Sequence, residues 1–131
     1  MRRQPEQQEE EQILLKQALA NILWAVAKLG LTDDSFVSLL LEEAKPRLSG
    51  FDPQGLANTV WALATLGRKE EAFMDALLME AGPRLASLNA QALADTVWAV
   101  AKLGHRGSAF MRPLLAEIQV KMPSFNVADM R

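Results

Sequence analysis

The chain has 131 residues, a formal net charge of −2 and no cysteine, and 50% of its residues are hydrophobic, many of them the strong helix formers Ala and Leu. Without cysteine it has no disulfide, thiolate metal site or cysteine nucleophile, and its one histidine, His105, excludes a histidine metal cluster. The chain has no run of about 18 apolar residues that could span a membrane as a helix. Its small negative net charge argues mildly against nucleic-acid binding by the chain as a whole.

Residues 1–12 differ in composition from the rest of the chain. They carry two bases and four acids, namely Arg2, Arg3, Glu6, Glu9, Glu10 and Glu11. The segment lacks the apolar core of a secretory signal, and it is too acidic for an organelle transit peptide. We therefore predict an acidic polar tail over 1–12, followed by a helical repeat array over 13–131 that is neutral overall.

The array repeats itself at a step of 37 residues. The segments QALANILWAVAKLG, QGLANTVWALATLG and QALADTVWAVAKLG align without a gap. The same step relates Trp24, Trp61 and Trp98, then Gly30, Gly67 and Gly104, and then Phe36, Phe73 and Phe110. Periods of about 20–50 residues are typical of stacked repeat architectures. We predict units over about 13–50, 51–87 and 88–124, and the start of a fourth over 125–131.

The first helix of each unit, helix A, is predicted over about 54–66 in the middle unit. Asp52 is a favourable N-cap, Pro53 suits the first helical position, and Gly67 suits the left-handed residue that follows the helix. Asn89 and Asn126 take the N-cap position in the later units. Two apolar rows predict packing on both flanks of the helix, one of Leu56, Val60 and Leu63 and one of Ala57, Trp61 and Ala64.

The second helix, helix B, is predicted over about 35–44 in the first unit. Pro46 and Pro83 recur near its end and should stop or kink it, whereas the third unit has Val120 there and its helix is predicted to reach Met122. The same 37-residue step places one aromatic residue per unit in the predicted core, at Phe36, Phe73 and Phe110. Together these elements predict an all-α fold, an α-solenoid of about three stacked helix-turn-helix repeats with a 37-residue period.

Arg47 and Arg84 follow the recurring prolines, and Lys121 lies at the same place in the third unit. We predict that they cap the last carbonyl groups of helix B, where the helix dipole is negative. His105 follows Gly104, and we predict that it is a solvated turn residue.

The tryptophan row has two interpretations, base stacking and packing between helices. We favour packing, because Trp61 lies in a row with Ala57 and Ala64, and small residues allow a second helix to come close.

A third face of helix A is polar and differs from unit to unit. It carries Asn21, Asn58 and Asp95, with Ile22, Thr59 and Thr96 beside them and Lys28, Thr65 and Lys102 two turns further on. Asn and Asp side chains can bond to base edges, as in helical repeats that recognise one base per unit. We predict RNA contacts by Asn21, Asn58, Asp95, Thr59 and Thr96. The alternative is that these groups satisfy the backbone or each other across repeats.

The helix A layer is more basic than the first two B helices, whose regions carry eight of the twelve acids over 13–131. We predict phosphate contacts by Lys28, Arg68, Lys102 and Arg106, because cations along one edge of an array suit a phosphate backbone. The alternative is that these cations only favour the negative ends of helix dipoles.

The strings LANTVWALATLG and LADTVWAVAKLG, preceded by FDPQ and LNAQ, resemble the octotricopeptide repeat family of helical hairpins. The resemblance covers 13–131 and implies sequence-directed binding of single-stranded RNA in a chloroplast or mitochondrion, where members act on the processing, stability or translation of transcripts. The chain departs from the family in its step of 37, and in TDDSF and RKEEAF, where the family has a proline-rich start of helix B.

Two functions therefore stay open, an RNA-binding segment and a protein–protein interaction scaffold of the α-solenoid type. We expect no enzyme and no cofactor, because the sequence has no His–carboxylate–nucleophile set and no glycine-rich phosphate loop.

Overall fold

A computed structural model of the chain describes residues 4–105 and 109–122, and all regular structure in these ranges is helical. The described helices are α1 (Pro5–Leu29), α2 (Asp34–Ala44), α3 (Pro53–Leu66), α4 (Glu71–Ala81), α5 (Ala90–Lys102) and α6 (Met111–Lys121). Short 3-10 segments, Lys45–Gly50 and Gly82–Ser87, follow α2 and α4. The all-α prediction is confirmed for the described part of the chain.

The predicted capping residues form the ends of the A helices, which are α1, α3 and α5. The Asp52 side chain accepts a hydrogen bond from the Gly55 amide at 2.7 Å, and that of Asn89 accepts one from Ala92 at 2.8 Å. Gly67 ends α3 in the left-handed conformation, with φ 70°. These predictions are confirmed, whereas Asn126 and the predicted fourth unit over 125–131 lie outside the described residues.

The first A helix is longer than the repeat comparison indicates. It begins at Pro5 and continues through most of the segment predicted as a polar tail, and the side chains over 4–12 are exposed. The Gln4 amide donates to the Gln7 side chain at 3.1 Å and closes the first turn.

The helices pack in chain order. Helix α3 packs between α1 and α5, and each B helix (α2, α4 and α6) packs on the A helix of its own unit. The 3-10 segments link the units, because Lys45–Gly50 packs on α4 and Gly82–Ser87 packs on α6. The fully buried core is mainly aliphatic and includes Leu23, Leu56, Val60, Leu63, Leu77, Leu93 and Leu114.

The prediction that all three phenylalanines are core residues is wrong for the first of them. Phe73 and Phe110 are buried, and Phe73 lines a crevice together with Leu41 of the preceding unit. Phe36 is exposed, because no helix pair precedes α1 and α2 among the described residues.

Two of the three basic residues Arg47, Arg84 and Lys121 connect neighbouring units. Arg84 donates to the carbonyl groups of Phe51 and of Ser49, the latter at 2.8 Å. Lys121 likewise donates to the Ala86 carbonyl at 2.7 Å. The predicted capping of helix B is therefore wrong for Arg84 and Lys121. Only Arg47 fits it, since it donates to the Glu43 carbonyl within its own unit at 2.6 Å.

Candidate nucleic-acid interface

Four positions of each A helix form one continuous face, because their spacing of four, three and four residues matches the helical period. We call it the A face. It consists of Gln17, Asn21, Trp24 and Lys28 on α1, Gln54, Asn58, Trp61 and Thr65 on α3, and Gln91, Asp95, Trp98 and Lys102 on α5. All of these residues are exposed or half-buried. The A face thus joins the predicted polar residues to the tryptophan row.

The tryptophans lie at the surface of the A face. The Trp24 and Trp61 ring centroids are 6.3 Å apart with planes tilted by 34°, so these rings pack across α1 and α3 as predicted. Trp24 is nevertheless 38% exposed and Trp98 is 45% exposed. Packing between helices is therefore an incomplete interpretation, since the rings also present aromatic surface to solvent.

Each exposed tryptophan has a lysine ammonium over its ring. The Lys28 Nζ lies 5.4 Å from the Trp24 centroid and 5.7 Å from that of Trp61, and the Lys102 Nζ lies 4.8 Å from that of Trp98. These distances are within the range of attractive cation–π contacts. Both lysines are exposed. The face therefore combines aromatic surface with positive charge at two places.

In the second and third units, the glutamine of the A face orients the next residue of that face. The Gln54 Nε2 donates to the Asn58 Oδ1 at 3.1 Å, and the Gln91 Nε2 donates to the Asp95 Oδ1 at 2.9 Å. These bonds run along one helix, not across repeats, and they leave the Asn and Asp side chains on the surface. Asn21 is exposed at the equivalent position of α1.

The predicted RNA contacts by Thr59 and Thr96 are corrected by the structure. Both side chains are buried. The Thr59 hydroxyl donates to the Gly55 carbonyl at 2.7 Å, and that of Thr96 donates to the Ala92 carbonyl at 2.6 Å. A buried hydroxyl that is satisfied by its own helix has neither access to a ligand nor a free donor for one.

The predicted phosphate contact by Arg68 is also corrected. Its side chain is 18% exposed, and its guanidinium pairs with Asp34 at 3.0 Å and Glu70 at 2.7 Å and donates to the Ser38 hydroxyl. These groups fix the junction of the first two units, so the cation is neutralised there. Arg106, the fourth predicted cation, lies outside the described residues.

His105 is not a solvated turn residue, because its side chain is only 12% exposed. Its Nε2 lies 4.0 Å from a carboxylate oxygen of Glu71, one repeat after the pair of Arg68 and Asp34. It therefore belongs to the next junction between units and not to the A face.

The glutamines of the A face carry no predicted role, and the tryptophans belong both to the apolar row and to the A face. Trp61 lies four residues after Ala57 and three before Ala64, and it has the same helical spacing to Asn58 and Thr65. Both rows recur at the 37-residue step, and this recurrence is the signal that the sequence offers. Only the exposure of the side chains shows that the tryptophans also belong to the A face.

Comparisons with protein-family models, with curated proteins and with solved structures found no match to this chain. Within 4–105 and 109–122, no helix is long and apolar enough to cross a membrane. The same ranges contain no group of three or more His, Asp or Glu side chains placed to hold a metal ion. The A face is the candidate interface on its geometry alone.

Proposed function

We propose that the chain forms an α-solenoid that binds single-stranded RNA along the A face. The observation that carries the proposal is the recurrence of an exposed tryptophan with a lysine over its ring, at Trp24 with Lys28 and at Trp98 with Lys102. Unpaired bases stack on the aromatic rings, and the lysines move aside to contact phosphates.

This chemistry suits a single strand because its bases are free to leave their neighbours and stack on a protein. The Trp24–Trp61 pair forms one platform and Trp98 forms a second. Asn21, Asn58 and Asp95 lie one turn away from the rings, where they can bond to base edges. The resemblance to octotricopeptide repeats supports the same ligand and extends the proposal to organelle transcripts.

The expected affinity is low. Stacking on an aromatic side chain contributes about 1–3 kcal/mol per base, so two platforms supply about 2–6 kcal/mol. Association costs about 4–15 kcal/mol, and phosphate contacts must supply the remainder. We expect a Kd between about 1 μM and 1 mM.

The test is fluorescence anisotropy with a randomised single-stranded RNA pool, titrated at low and at moderate salt. The variant Lys28→Gln/Lys102→Gln removes the two cations of the A face. The matched control Lys45→Gln/Arg112→Gln removes two exposed cations that lie outside the A face. We expect salt-sensitive binding that the first variant loses and the control keeps, since phosphate contacts release counterions.

Tryptophan fluorescence gives a second readout, because all three tryptophans of the chain lie on the A face. Stacked bases should quench it in the wild type, and less so in Trp98→Ala. Absence of RNA binding by the folded protein at low salt would overturn the proposal. Equal losses in both lysine variants would show that overall charge, not the A face, drives binding. Binding of a peptide to the same face, indifferent to salt, would favour a protein scaffold instead.

A further inference from the structure

The N-terminal end of the described helix array exposes positions that are buried in the later units. Phe36 is 43% exposed, whereas Phe73 and Phe110 are 5% and 8% exposed. Ile22 is also exposed, at the position of the buried Thr59. We call the surface around Ile22 and Phe36 the N-terminal end face. In each later unit, the same positions are covered by the preceding helix pair.

The C-terminal end shows the reverse pattern. Leu115 is 47% exposed, whereas its equivalents Leu41 and Leu78 are 6% and 8% exposed. Ala94 is exposed at the position of the buried Ala57. We call the surface around Ala94 and Leu115 the C-terminal end face. In the earlier units, these positions are covered by the following helix pair.

The internal junctions show what fits each end face. Leu41 and Phe73 line one crevice between α2 and α4, and Leu78 and Phe110 line the equivalent crevice between α4 and α6. The next leucine in this series is Leu115. Among the described residues, no phenylalanine of a following unit lies against Leu115. Phe36, the first phenylalanine of the series, likewise has no leucine of a preceding unit beside it.

Arg47 supplies a second observation at the N-terminal end. It occupies the position of Arg84 and Lys121, both of which donate to carbonyl groups of the preceding unit. Its Nε is buried without a hydrogen-bond partner among the described residues. A buried unsatisfied donor is unfavourable, and a preceding unit would offer the carbonyl groups that its equivalents use.

We propose that a second copy of this chain packs on these faces, with the C-terminal end face of one copy against the N-terminal end face of the next. Leu115 of one copy then lies against Phe36 of the next, as Leu41 lies by Phe73 within a chain. The two faces differ, so the contact is heterologous and can continue from copy to copy. This arrangement repeats a junction that the chain already makes twice, and it requires no RNA.

The test uses sedimentation velocity of the full chain over a range of concentrations up to millimolar. Phe36→Glu blocks the N-terminal end face and Leu115→Glu blocks the C-terminal one. Both side chains are exposed in the single chain, and Glu at position 36 suits the first turn of α2, where Asp33 is the N-cap. We expect the average mass of the wild type to rise with concentration, and each variant to stay monomeric.

Mixing the two variants distinguishes this contact from other self-association. The Phe36→Glu copy keeps its C-terminal end face and the Leu115→Glu copy keeps its N-terminal one. Their equimolar mixture should therefore form a one-to-one dimer and nothing larger. Met79→Glu is the matched control, because Met79 is exposed and Glu42 already occupies its position in the first unit. It should associate like the wild type.

Three results would overturn the proposal. The wild type could stay monomeric at millimolar concentration, either end-face variant could associate like the wild type, or the mixture could stay monomeric. Circular dichroism melting checks that every variant folds. The milder changes Phe36→Gln and Leu115→Gln replace any variant that does not fold, with the same expected outcomes.

Discussion

Thr96 illustrates how one position along a helix separates a surface residue from a buried one. Its hydroxyl donates to the Ala92 carbonyl, and its side chain lines a small cavity with Ala57 and Val60 of α3. Asp95, one residue earlier, remains half-buried on the A face. Because successive residues of an α-helix differ by about 100° around its axis, neighbours in sequence do not share a face.

We expect the change Thr59→Val to leave RNA affinity unchanged and to alter the free energy of unfolding by less than about 1 kcal/mol. The hydroxyl removed is a donor whose loss leaves no buried polar group without a partner, since the Gly55 carbonyl keeps its helical hydrogen bond. Urea unfolding and anisotropy with the RNA pool measure the two quantities. A loss of affinity as large as that of Lys28→Gln/Lys102→Gln would contradict the buried position of Thr59.

At this scale the sequence predicted which residue types recur, but not which of them reach solvent. Asn58 and Thr59 are both short and polar, and both recur at 37 residues as Asp95 and Thr96. Their exposure depends on where the neighbouring A helix packs. Arg68 is not free to bind a phosphate because it pairs with Asp34 and Glu70, and Asp34 is distant from it in the sequence.

Two glycines that follow helices, Gly67 and Gly82, can be compared because their backbone conformations differ. Gly67 follows α3 with φ 70°, and Gly82 follows α4 in the right-handed helical conformation, with φ −49° and ψ −55°. Outside the two adjacent residues, a Cβ added at either position would meet no atom within 4 Å. The two positions therefore differ in backbone conformation and in the proline that follows Gly82, and Lys45 adopts the same helical conformation before Pro46 with φ −52° and ψ −51°.

We expect Gly67→Ala to destabilise the protein by about 1 kcal/mol, because a left-handed backbone strains any residue with a Cβ. Gly82→Ala should stabilise it by about 0.4–1 kcal/mol, because alanine restricts the unfolded chain and fits the helical conformation. Thermal and urea unfolding of the two variants check both signs. Changes of the same sign at both positions would show that backbone conformation does not decide the outcome.

Helix boundaries within the units were predictable because they depend on local signals. The predicted helix over 54–66 is observed as Pro53–Leu66, and that over 35–44 as Asp34–Ala44. The start of α1 was missed because residues before 13 have no repeat equivalent. A local signal was present in Pro5, which occupies the first helical position as Pro53 does.

The behaviour of the whole molecule depends on the bonds between units. Arg84 joins the second unit to the first through the Ser49 carbonyl and also donates to the Phe51 carbonyl at the start of its own unit, whereas the bonds of Arg47 stay within the first unit. The two arginines occupy equivalent positions, so they separate the effect of a connection between units from that of an arginine near the end of a B helix.

We expect Arg84→Met to lower the free energy of unfolding by about 1.5–3 kcal/mol, the usual range for a hydrogen bond to a charged group. It should also lower the slope of that free energy with urea, since units with a weaker junction unfold less cooperatively. Arg47→Met should cost less than about 1 kcal/mol. Urea unfolding of dilute protein compares them, and equal effects would show that Arg84 does not couple the units.

The order of packing along the chain could be anticipated from the 37-residue step, since equivalent segments bury equivalent faces. The end faces could not, because Phe36 and Leu115 are indistinguishable in sequence from their buried equivalents. Their exposure is a property of position within the array.

The hydrogen bonds that Arg84 and Lys121 make to the preceding unit have a consequence for the evolution of the repeats. Both side chains recognise carbonyl oxygens, at Ser49 and at Ala86, and every residue type carries such an oxygen. The exposed side chains at these two positions can therefore drift by mutation while the junction persists. A gene encoding such units can gain, lose or exchange one of them by recombination, and the new neighbours need no further substitutions to make this bond.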